Sequence, residues 1–141
     1  SASAATVETR VKNLMALLRG RYSGIKCYIT TITPVSNSSD SWATLGNQFL
    51  SGTLPNGTVI SGWANFTDNT GTSGRSLYNA RVRAGLLGAD NFIDVAAYCE
   101  DATDNRFWKT TAGAATGDGI HPKQATHTDM AGSYGPEIYF G

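Results

Sequence analysis

Two short runs, 24–33 rich in apolar and β-branched residues and 91–97 almost continuously apolar, each follow a segment whose apolar positions repeat at helical spacing. That order is what most constrains the fold. A run of this kind reads as a strand covered on both faces, and strands alternating with helices pack as a parallel sheet with crossover helices. The first helix spans about residues 6–19, because Val7, Val11, Leu14 and Leu18 share a face and Gly20 follows as a natural stop. Gly24 to Thr33 is the first strand, with Ile25, Cys27, Ile29 and Ile32 ahead of the terminating Pro34. A second helix starts near Arg75 with Leu77, Ala80, Ala84 and Leu87 on one stripe, and Asn91 to Ala97 is the second strand, broken only by Asp94. Asp94 reads as a hydrogen-bond partner or a turn residue. A last helix carries His127, Met130, Ala131, Tyr134 and Ile138, with His127 helping to pack it on the sheet.

Residues 35–74 contain no Lys or Arg and only Asp40 and Asp68 as acids. A loop of this length is functional or carries small elements of its own. Trp42, Phe49, Trp63 and Phe66 supply its aromatic mass. They either pin the loop to the body or, for Trp42 and Trp63, line a substrate cleft by stacking on a sugar or acyl group.

The chemistry concentrates near the end, in Asp118-Gly119-Ile120-His121-Pro122. An Asp three residues before a His holds the imidazole by one nitrogen and leaves the other free to take a proton. A plain turn also produces this spacing, with Asp118 capping the next segment and His121 bonded to backbone. The nucleophile that would complete a triad is not evident. The chain has no Gly-x-Ser-x-Gly and no Gly-Asp-Ser, and the nearest approximations, Gly71-Thr72-Ser73-Gly74 and Gly74-Arg75-Ser76, lead into a helix from a polar loop.

Other site chemistries are less well supported. His121 and His127 stand six apart and do not share a helical face, so the residues Asp118, His121, His127 and Asp129 make a poor metal set. Cys27 and Cys99 fall near the start of one parallel strand and just past the end of the other. About six residues of axial offset at about 3.3 Å each exceed the bridging limit of about 7 Å, which predicts two free thiols. Eleven basic and eleven acidic residues balance, so no electrostatic footprint for nucleic acid or an anionic membrane exists. No apolar run approaches the roughly 20 residues of a membrane span. A surface rich in Gly, Thr, Ser and Asn points to a secreted, extracellular or virion-associated protein. The sequons at Asn37, Asn56 and Asn65 are of the kind that Asn- and Ser-rich loops generate by chance.

Taken in order, these segments resemble the C-terminal part of the SGNH (GDSL) esterase and lipase superfamily. Arg10 to Arg19 is similar to the helix before that family's fourth strand, and Tyr28 to Pro34 to the strand that ends in a Pro-containing loop. Tyr78-Asn79-Ala80-Arg81-Val82-Arg83 resembles the family's Tyr-Asn helix, followed by the Phe92-Ile93-Asp94-Val95 strand, and Asp118 to Pro122 matches its last signature block. The matches cover most of the chain apart from 35–74.

The resemblance implies a flavodoxin-like three-layer α/β/α sandwich with a parallel sheet, an acyl-enzyme mechanism, no metal and no cofactor. It makes His121 the general base and Asp118 its orienting carboxylate. The blocks that carry the family's nucleophilic Ser and oxyanion Gly and Asn would precede Ser1. The expectation is therefore that 1–141 is a single-domain segment, the C-terminal half of a serine esterase acting on carboxylic or carbohydrate O-acetyl esters. It would be inactive alone and completed by a second polypeptide carrying the Ser, or by a swapped copy. The rival reading is a noncatalytic carbohydrate-binding or structural module with a hydrolase-like shell.

Overall fold

The computed structural model describes residues 3–61, 70–72, 74–111 and 113–133. Trp63, Phe66, Ser73, Tyr134 and Ile138 therefore lie outside the described residues. The chain forms two compact units, 1–32 with 64–94 and 33–63 with 95–141. Helices and strands are mixed, and the first unit holds a small parallel sheet, an α/β arrangement.

In the first unit, α1 (Ala4–Arg21) is capped by Ser3, whose hydroxyl accepts the Thr6 amide at 3.2 Å. Val7 and Val11 pack with α2 (Gly74–Arg83) around buried Tyr78, Val82 and Leu87, joined by Ile29 and Phe92 from the sheet. Two details of the expected stripes change. Leu14 on α1 is 56% exposed, and α2 buries Tyr78 and Val82 while Ala80 and Ala84 face outward. The larger side chains take the core because they remove more apolar area from water than alanines do.

Strand β1 is only Tyr28–Thr30, paired in parallel with β4 (Asn91–Ile93) in the register Ile29 to Phe92. Both are shorter than their apolar runs, for a visible reason. The Asp90 carboxylate takes the Cys27 amide at 2.8 Å before the strand starts. After it, the buried Asn79 side chain clasps Ile32 through both its amide and its carbonyl, at 2.8 and 2.9 Å, so that these groups leave the ladder. Beyond β4, Asp94 accepts a two-pronged pair from Arg83, at 2.7 and 2.9 Å, and a hydrogen bond from Thr31. Its role is structural, as a hydrogen-bond partner. Residues 95–97, expected to continue the strand, instead open α3 (Val95–Cys99). A short apolar run does not by itself distinguish a strand from a buried helical turn.

The second unit is built largely from loops around a core of Trp42, Cys99, Trp108, Ala115 and Met130. Within 35–74, β2 (Asn37–Ser38) pairs antiparallel with β3 (Gln48–Phe49) across a short 3₁₀ turn at Leu45–Asn47. Asp40 organises that turn by accepting from Thr44, Asn47 and Ser38, which together hold its carboxyl well below the usual range. The connection places Ser41 and Trp42 at φ of 59° and 62°, a left-handed conformation costly for a bulky residue. The unit closes with α4 (Gln124–Ser133), on which His127 and Ala131 are exposed, so His127 does not pack the helix as expected. Cys27 and Cys99 are buried free thiols. No described helix is long and apolar enough to cross a membrane.

Candidate active site

The segment that carries Asp118 and His121 is a loop pinched at its base by an antiparallel bridge between Thr116 and Pro122, with the Lys123 amide donating to the Ala115 carbonyl at 2.8 Å. Inside the loop, two side chains take all four amides of the turn. The Thr116 hydroxyl accepts from the amides of Asp118 and Gly119, at 3.3 and 3.0 Å. One Asp118 oxygen, Oδ1, accepts from the amides of Ile120 and His121, at 2.9 and 2.8 Å.

The other oxygen, Oδ2, lies 2.7 Å from His121 Nδ1. Burial pushes the Asp118 carboxyl up, but the His121 ring and the amides of His121 and Ile120 outweigh it and bring the pKa down to about 2. The carboxylate is therefore ionised throughout the neutral range. An anion at Nδ1 favours the tautomer with its proton there and leaves Nε2 as the basic nitrogen. The His121 side chain is 71% exposed, so the ring is largely open to solvent.

Beneath the loop lies a buried polar network. The Gly119 carbonyl accepts from the Ser36 amide at 3.2 Å and from the Trp108 indole at 3.1 Å. The Trp42 indole donates to the carbonyl and hydroxyl oxygens of Ser36. Gln48 accepts from the Ser36 hydroxyl and the Trp108 amide and donates to the Trp108 carbonyl at 2.7 Å. Gly119 has φ of 82°, and a Cβ built there would collide with the Ser36 carbonyl oxygen and come within 2.7 Å of the Trp42 ring. The turn thus sits directly on Ser36 and Trp42.

The structure brings Asp118 and His121 together as their spacing predicts. It does not bring Trp42 to a substrate surface: at 3% exposure the indole is core and supports the turn from below. Trp63 lies outside the described residues. Among the described residues no three His, Cys, Asp or Glu side chains converge. Ser76, one of the weak nucleophile candidates, is buried within α2. Sequence reading passed over Thr116, Ser36, Gln48 and Trp108. Thr116 carried a local signal, a hydroxyl two residues before an acid in a Gly-rich turn. The other three are joined by hydrogen bonds across as many as 60 positions and leave no local pattern.

No family model, curated protein or solved structure matches this chain.

Proposed function

We propose that this chain is the C-terminal portion of an SGNH-type serine esterase and supplies the base of a Ser-His-Asp triad. The observation that carries the reading is the 2.7 Å contact of Asp118 Oδ2 with Nδ1 of the largely exposed His121 ring. In this mechanism a seryl Oγ on the complementary polypeptide attacks the ester carbonyl carbon as its proton passes to Nε2. The tetrahedral oxyanion collapses, the C–O bond to the alcohol breaks, and the leaving alkoxide takes the proton back from Nε2. Water repeats the sequence on the acyl-enzyme and releases the acid and the free serine. Asp118 remains ionised and stabilises the imidazolium formed in each half. Donors on the partner would stabilise the oxyanion, each worth about 3 kcal/mol of barrier.

The completed fold in this reading is a flavodoxin-like α/β/α sandwich. Among the described residues β1 is paired on one side only, by β4, as an incomplete sheet would be. Alongside it runs a groove of about 340 Å³ lined by Val11, Leu14, Leu18, Ile25 and Tyr28. An open strand edge beside apolar surface suits pairing with a further chain, here the polypeptide that carries the serine. The absence of Lys and Arg from 35–74 favours a neutral acyl ester or acetylated sugar over a phosphorylated substrate.

The test is to treat the intact protein with a fluorophosphonate and measure its mass spectrum under denaturing conditions. A labelled second polypeptide is expected. A single unlabelled 14.9 kDa species would refute the reading and leave a noncatalytic carbohydrate-binding or structural module as the alternative.

A further inference from the structure

We infer that Thr116 is a positioning residue for the Asp118–His121 pair, because its hydroxyl occupies the turn amides that would otherwise compete with His121 for the Asp118 carboxylate. This inference rests on reading the pair as base and orienter.

Four consecutive amides, 118 to 121, point into the turn, and only two side chains accept from them. Thr116 is completely buried, and its oxygen is fully used: it accepts the amides of Asp118 and Gly119 and donates its one proton to the His121 carbonyl at 2.8 Å. The Asp118 oxygen at 3.4 Å is the poorer acceptor for that proton. Because Thr116 takes two amides and Asp118 Oδ1 takes the other two, Oδ2 is left for the ring of His121. Without the hydroxyl, the buried Gly119 amide and the part-buried Asp118 amide lose their acceptor, and the carboxylate that already holds the next two amides is the competing acceptor in the same turn. A buried amide is too costly to leave unpaired, so the carboxylate is drawn toward the backbone and away from Nδ1. The same hydroxyl also ties the His121 carbonyl to the start of the loop, which fixes the backbone from which the ring projects.

The readout is the tautomer of His121 in the 141-residue chain labelled with ¹⁵N-histidine. The chain has two histidines, and His127, exposed on α4, serves as the internal solvent reference. In the unaltered chain, above the imidazole titration, His121 is expected to carry its proton on Nδ1 and to differ from His127. Thr116→Val, which keeps the volume and removes the hydroxyl, is expected to abolish that difference. Thr116→Ser is expected to restore it, and Thr126→Val, which deletes a neighbouring buried hydroxyl bonded to the Ala115 carbonyl, is expected to leave it intact. If the Val variant does not fold, Thr116→Ala is read in its place. A hydroxyl-free variant that keeps the Nδ1–H tautomer, or a Ser variant that fails to restore it, overturns the inference while the pair stands. An unaltered chain whose His121 matches His127 removes the pair itself, and this inference with it.

Discussion

Replacing Gly119 by Ala tests whether the Asp-His turn is seated as tightly as its geometry requires. At φ of 82° an alanine pays for the left-handed conformation about 1–2 kcal/mol. Its methyl would also overlap the Ser36 carbonyl oxygen, approach Trp42 Cζ2 to 2.7 Å and Leu54 Cδ2 to 3.0 Å. Backbone and a buried ring cannot yield as a flexible side chain does, so the turn must rise. That movement strains or breaks the bonds from the Ser36 amide and the Trp108 indole to the Gly119 carbonyl. Leaving those two buried donors poorly paired adds about 2–4 kcal/mol, at roughly 1–2 each. The total is about 3–6 kcal/mol, a large share of the stability of about 5–15 kcal/mol usual for a domain. Gly113→Ala is the control, since its φ of 97° is also left-handed but no atom lies within 4 Å of the added carbon. It should lose only the conformational part, about 1–2 kcal/mol. Urea unfolding followed by tryptophan fluorescence reports on the unit that holds Trp42 and Trp108. If both variants lose the same stability at unchanged denaturant slope, the tight seat does not exist and the reasoning fails.

The depressed Asp118 carboxyl gives a signed pH dependence. Its folded value of about 2 lies below its unfolded value of about 4, so its stabilisation is present above pH 4 and is lost as pH falls toward 2. Asp118→Asn should therefore be less stable than the unaltered chain at pH 6, with the gap closing near pH 2; a gap that does not change with pH contradicts the ionised pairing. Trp108→Phe deletes one of two donors to the Gly119 carbonyl and also removes the pyrrole half of a fully buried indole, so it should cost about 2–4 kcal/mol in the same unfolding assay, about 1 from the hydrogen bond and the rest from the cavity. An unchanged midpoint would contradict both the packing and the bonding of Trp108 beneath the loop. If the chain acts as the proposed esterase, His121→Ala should abolish ester hydrolysis and leave assembly with the proposed serine-bearing polypeptide intact, as read by turnover and by size-exclusion mass; retained turnover excludes His121 as the base. Cys27 and Cys99 should react with a thiol reagent only after denaturant is added, and rapid labelling of the folded chain would contradict their burial.

The type and order of α1, β1, α2 and β4 were legible in the sequence because periodicity is local. Apolar residues at helical spacing placed α1 and α2, the β-branched run placed β1, and the alternation of strands with helices implied that the strands run parallel, as β1 and β4 do. The Asp118–His121 pair was legible for the same reason, since three residues of a Gly-containing turn suffice to bring the two side chains together. Element ends and faces were not. The length of β1 is set by the Asn79 clasp on Ile32, formed across 47 positions, and α2 turns Tyr78 and Val82 inward because the facing helix and sheet leave room for them. Residues 95–97 are apolar in either conformation, so local pattern did not decide between strand and helix.

The sequence alone brought Asp118 and His121 within reach of each other, because three residues of a Gly-containing turn separate them, but it left open a capping turn in which His121 bonds to backbone. Only the tertiary structure decided that Trp42 is a buried support, that Gly119 rests on the Ser36 carbonyl, and that Thr116 and Asp118 share four amides so that one carboxylate oxygen stays free for the ring. Those outcomes depend on which distant groups compete for the same hydrogen bonds and the same space. That competition exists only once the chain has folded.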